Sequence, residues 1–248
     1  MEIILVSIAI FMGSLIQRVI GFGMPIIVIP TLFIYFSPAT ALIMAFIVGI
    51  ISSLFVVNDL KQTTVLNNSI YKVLFPASVI GIGFGAWVLT ISPKSYLQIS
   101  LGVLIVIGLI IQKYFQPIPK NQLKPKPDLF IYAIFAGFFN STVGLSAGPL
   151  IIWIRKHIVS PNSVRLLLAF NFIFMNVLSI FFLHYFDRNA FILIPTFFFI
   201  LFLPIIFIAN YTGSILSNKI KETHYNSIVF YFLATIGVLT TYYGINSL

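Results

Sequence analysis

The chain has 248 residues, of which 60% are hydrophobic and only 8% charged, with a formal net charge of +9 and a mean hydropathy of +1.09. A soluble domain carries roughly 25% charged residues, so this composition excludes a soluble globular protein and points to a polytopic helical membrane protein. Cysteine is absent, which excludes disulfides and thiolate metal sites. The basic excess lies in short loops between apolar runs, a positive-inside pattern, so no nucleic-acid partner is expected.

Taken in chain order, apolar segments are expected at about 3–16, 19–36, 39–57, 70–91 and 96–112. The start, MEIILVSIAIFMGSLIQ, lacks a basic leader and a small-residue cleavage site, so it reads as a retained first helix. Residues 113–128, KYFQPIPKNQLKPKPD, carry four Lys and four Pro and cannot form a packed helix. They read as a basic cytoplasmic linker between a membrane repeat at 1–112 and another at 129–248. The second repeat offers apolar segments at about 129–139, 143–154, 164–186, 190–209 and 226–245. Residues 129–139 as a helix would cover about 16 Å of a core about 30 Å thick. That pair therefore reads as a re-entrant hairpin with its tip, Asn140 to Gly148, at depth. The first pair has longer arms and either spans or re-enters.

One local pattern occurs twice. Residues 13–25 read GSLIQRVIGFGMP and residues 137–149 read GFFNSTVGLSAGP. Ser37-Pro38 and Ser160-Pro161, then Ala45-Phe46 and Ala169-Phe170, follow at equivalent places. Each half has an odd number of crossings, so the second enters from the opposite side. With the linker in the cytoplasm, Lys61, Lys72, Arg155, Lys156, Arg165, Lys219 and Lys221 also fall inside. Lys94, Arg188 and both termini fall outside, as the positive-inside rule requires. The expected fold is an all-α polytopic membrane protein of two inverted repeats, each a broken or re-entrant helical hairpin plus three transmembrane helices.

A duplicated Gly-rich break points to a substrate site in a transporter. Gln17, Arg18, Gly21, Phe22, Gly23 and Pro25 come from the first break. Asn140, Ser141, Thr142, Gly144, Ser146, Gly148 and Pro149 come from the second. Each break reads as a turn feeding a new helix, whose free N–H groups and partial positive charge suit an anion. The competing reading is that small residues allow close helix packing. Arg18 is either an intramembrane cation at the site or a snorkelling residue that sets topology. Asn171 and Asn176 either bond between helices or line the cavity. His184 is an interfacial or proton-linked residue, while His157 and His224 sit in inner loops. No metal or other cofactor is expected, because no acidic cluster accompanies the three His. Gly144-Leu145-Ser146-Ala147-Gly148 matches G-x-S-x-G, but that motif needs a strand-to-helix turn in a sheet. An intramembrane serine hydrolase is thus a lesser alternative, and the protein is not expected to be an enzyme.

The breaks GFGMPIIVIP and GLSAGPLIIWI, the half-repeats, the basic linker and the chain length together resemble the TauE/SafE family of sulfite exporters. The resemblance covers essentially the whole chain. It implies an integral protein of the cytoplasmic membrane that exports sulfite or small organosulfonates. It marks Gly21, Phe22, Gly23 and Pro25, with Gly144, Ser146, Gly148 and Pro149, as paired motif positions. Met24 and Ala147 interrupt the fuller glycine run of many members. The expected function is a secondary transporter of a small anion, working by alternating access and coupled to protons or membrane potential. A passive anion channel is the alternative. The expected partners are the anion and membrane lipid.

Overall fold

A computed structural model describes residues 2–60, 68–114, 127–157, 161–192, 194, 196–217 and 222–247. Most of the linker, together with Lys61, Lys219 and Lys221, lies outside the described residues. The first half contains α1 (Glu2–Ile20), α2 (Met24–Tyr35), α3 (Pro38–Asp59), α4 (Asn68–Ile91) and α5 (Lys94–Tyr114). The second contains α6 (Asp128–Val143), α7 (Ala147–His157), α8 (Pro161–Phe186), the short α9 (Asn189–Ile192), α10 (Thr196–Ser217) and α11 (Glu222–Asn246). The described secondary structure is entirely helical.

Among the described residues, four helices, α1, α3, α4 and α8, are long and apolar enough to cross a membrane. By contrast α2, α6 and α7 have 12, 16 and 11 residues, or about 18, 24 and 17 Å at 1.5 Å per residue. All three fall short of a hydrocarbon core about 30 Å thick. Large apolar side chains cover the outer faces, among them Ile80, Phe181, Ile200 and Phe207. Lipid tolerates such side chains provided that the helices satisfy their own backbone groups.

The non-helical stretches are shorter than the sequence suggests. Gln17 and Arg18 lie in the last turn of α1, and only residues 21–23 interrupt the first hairpin. Asn140, Ser141 and Thr142 belong to the last turn of α6, while Gly148 and Pro149 belong to the first turn of α7. Polar residues near a helix end stay helical when their side chains find partners, as these do. Ser37 shows the same rule at α3, where its Oγ accepts from the Thr40 N–H at 3.3 Å and Pro38 opens the helix.

The widest helix contacts run between the halves. α4 packs on α6 and α10 on α1, while α5 pairs with α11 and α3 with α8. Within the halves, α1 folds against α2 and α6 against α7. Glycines set the closest approaches. A Cβ on Gly81 or Gly85 of α4 would strike the Ile134 or Phe138 carbonyl of α6, and one on Gly137 would strike the Ser78 carbonyl of α4. Gly102 and Gly237 serve α5 and α11 in the same way. Such small-residue faces replace the hydrophobic driving force that lipid cannot supply.

Candidate functional site

Each break is built on left-handed glycine. α1 ends where the Gly21 N–H donates to the Gln17 carbonyl at 2.7 Å, with Gly21 at φ 94°. Gly23, at φ 109°, caps α2 without a side-chain bond, and Pro25 sits in the first turn. α6 ends at Gly144, φ 74°, whose N–H donates to the Asn140 carbonyl at 2.8 Å, while Leu145 N–H donates to Phe139 at 3.0 Å. The Gly144 bond, with Gly144 left-handed, is the 5→1 bond of an αL ending. A side chain at these φ values is strained, so glycine is required by backbone geometry.

Each break also touches the opposite half. A Cβ on Gly21 would lie 2.8 Å from Arg165 Cγ of α8, and one on Gly144 would meet Ile29 of α2 and lie 3.2 Å from Leu42 Cδ2 of α3. Gly148 differs, because a Cβ there meets nothing within 4 Å. Packing therefore accounts for Gly137 but not for Gly148.

Between the breaks lies a buried polar centre. Gln17 Nε2 donates to Ser53 Oγ of α3 at 2.9 Å and to the Gly49 carbonyl at 3.5 Å. On the other side, Asn140 Nδ2 donates to Asn176 Oδ1 at 3.2 Å and to Ser179 Oγ of α8 at 3.0 Å. Ser179 and Ser141 share a hydroxyl bond at 2.7 Å. The two groups meet at Gly49, where a Cβ would lie 2.8 Å from Asn176 Nδ2 and 2.9 Å from Met24 Cε. Gln17, Asn140, Ser141, Asn176 and the hydroxyls of Ser53 and Ser179 are all buried. They supply hydrogen-bond donors and acceptors without a carboxylate, a chemistry that suits a small anion or a neutral polar solute.

Arg18 is buried and ion-paired with Asp59, the last residue of α3. Its charge is thus paired within the fold. Gly213 of α10 covers its stem. Arg165 Nη2 donates to the Arg18 carbonyl at 2.5 Å, which satisfies an end carbonyl of α1 with a cation.

The other candidates have different surroundings. Asn171 is buried with its Nδ2 toward Met175 Sδ at 3.3 Å, five positions from Asn176 and on a different face of α8. Thr142 Oγ1 bonds its own helix at the Phe138 carbonyl, 2.8 Å away. Ser146 is buried and Phe22 packs on the cluster around Trp153 and Phe172. Among the described residues, no three His, Asp or Glu side chains gather as a metal site would need.

Ser52, Ser53, Gly49, Ser179 and Asn210 were not singled out from sequence. Asn210 Nδ2 donates to Ser52 Oγ at 3.2 Å, joining α10 to α3. The signal of the three serines and Asn210 is polarity inside an apolar helix. That signal is weak, because Ser7 and Thr240 show it too and merely bond carbonyls of their own helices.

Broken apolar helices meeting across a buried polar centre define a polytopic helical membrane protein of the transporter class. The chain belongs to the family described as Sulfite exporter TauE/SafE, whose model matches residues 5–240. No curated protein and no solved structure matches it significantly.

Proposed function

We propose that the protein is a secondary transporter that exports a small anion, sulfite or an organosulfur anion, across the cell membrane. The observation that carries the reading is the polar centre at α3 and α8, flanked by both helix breaks. Gln17, Asn140, Ser141 and Asn176 would bind the anion together with the N-terminal N–H groups of α2 and α7, whose partial positive charge favours it. Gly21, Phe22, Gly23 and Pro25 shape one tip. Gly144, Ser146, Gly148 and Pro149 shape the other, and Gly148 leaves open space there. Sulfite as the substrate rests on the family's name and on the Gly-rich motifs.

The two halves act as inverted repeats in this reading. Exchange of the halves maps the contact of α4 with α6 onto that of α10 with α1, and leaves α3–α8 and α5–α11 as they are. The contact of Gly21 with α8 likewise maps onto that of Gly144 with α3. Alternating access follows as motion of one repeat against the other around the shared centre. The driving force is a proton gradient or the membrane potential.

Flux into proteoliposomes tests the reading. Saturable, gradient-driven exchange of sulfite or a sulfonate supports it. Ohmic, non-saturating current would make the protein an anion channel instead.

A further inference from the structure

Arg18 and Arg165 come from opposite halves and meet beside the first break, and the half-exposed Asp59 carboxylate pairs with Arg18. Arg18 Nη1 and Arg165 Nε are buried and have no hydrogen-bond partner. The Arg18 side chain is 4% exposed, whereas that of its partner Asp59 is 49% exposed. Two guanidiniums and one carboxylate leave an excess positive charge beside a buried Arg18, where unbalanced charge is expensive. An oxyanion held by both guanidiniums would take up the orphaned donors. The guanidinium fork suits a planar or pyramidal oxyanion bound through two oxygens.

We propose that Arg18 and Arg165 form an oxyanion site at the end of α1, in which the Asp59 carboxylate stands in for the substrate when the site is empty. This inference rests on the anion-transporter reading above. Asp59 is the exchangeable member because it is half exposed and ends α3. It can swing into water, and Arg18, boxed in by Gly213, cannot. An arriving oxyanion displaces the carboxylate and frees the end of α3 from α1. Departure of the anion restores the pair. Substrate occupancy is thereby coupled to the contact between α1 and α3, two helices that also share the Gln17–Ser53 bond.

The test is equilibrium binding of radiolabelled sulfite to the purified full-length chain, with thermal unfolding of the same samples. Asp59→Asn, which removes the competitor, is expected to bind sulfite several-fold more tightly than wild type. Arg165→Gln is expected to bind about tenfold more weakly, the scale of a lost charge-assisted hydrogen bond, and Arg165→Lys to recover part of that loss. A purely structural ion pair would not give opposite signs in the two variants. Asp59→Asn is purified with sulfite present, and its unfolding midpoint should fall more steeply than wild type's when sulfite is removed. If it cannot be recovered even in sulfite, free anion does not replace the carboxylate and the proposal fails. If wild type binds sulfite but Asp59→Asn binds no more tightly, the exchange site is wrong and the transporter reading stands. If wild type neither binds nor moves any of sulfite, sulfate, thiosulfate or a sulfonate, both fall together.

Discussion

Asn140 donates to Asn176 across 3.2 Å, and this bond ties the second hairpin to the helix that pairs with α3. The same Asn140 amide reaches Ser179, so one side chain joins two levels of α8. A hydrogen bond between membrane helices averages about 0.6 kcal/mol and reaches about 1.7.

Two substitutions at Asn176 test the polar centre. Asn176→Leu removes the acceptor for Asn140 and should lower stability by about 1 kcal/mol, with loss of flux. Asn176→Asp keeps an acceptor of the same shape but adds a negative charge. It should abolish anion flux and lower stability further, because a buried charge with no cationic partner is expensive. Thermal unfolding and proteoliposome flux on both variants check this.

Gly148→Leu should fold as well as wild type and fail to transport, because its side chain enters open space at the second tip. Gly23→Leu should lose both properties. Its backbone is left-handed at φ 109°, which costs a non-glycine residue about 1–2 kcal/mol, and its Cβ would press on Ile16 at 3.1 Å. Unfolding midpoints measured beside flux distinguish the two.

Gly85→Leu should behave as a packing variant. Its side chain would force α4 away from the Phe138 backbone of α6, and overpacking of this kind costs about 1–3 kcal/mol. The folded fraction should fall while the flux per folded molecule is kept.

Asn121→Cys, placed in the basic linker of a chain with no native cysteine, should resist impermeant thiol reagents in intact cells. It should react once the membrane is opened. The Lys and Arg asymmetry of the loops carries this expectation, and external labelling would reverse the topology.

The apolar runs located the described helices well, because hydropathy and span length are local properties. The ends were less legible. Asn140, Ser141 and Thr142 read as a loop from their polarity, yet each finds a partner that keeps it on α6. Gly81, Gly85 and Gly137 look like the break glycines in sequence, and only the neighbouring helix shows that they serve packing. Arg18 could be flagged as an expensive charge, but its partner Asp59 lies 41 positions away. Nothing in the spacing links the two. Ser53 and Ser179 stayed hidden because a lone Ser in a membrane helix usually satisfies itself on its own backbone.

The central claim is a small-anion carrier with its site between the two breaks. Sulfite counterflow into proteoliposomes, compared for wild type and Gly148→Leu at matched reconstitution, tests it most directly. Saturable counterflow in wild type, inhibited by unlabelled sulfite or a sulfonate and lost in a stably folded Gly148→Leu, is the predicted result. Equal counterflow in the two proteins would contradict a site at the second break, and no saturable counterflow of any anion in wild type would contradict the carrier itself.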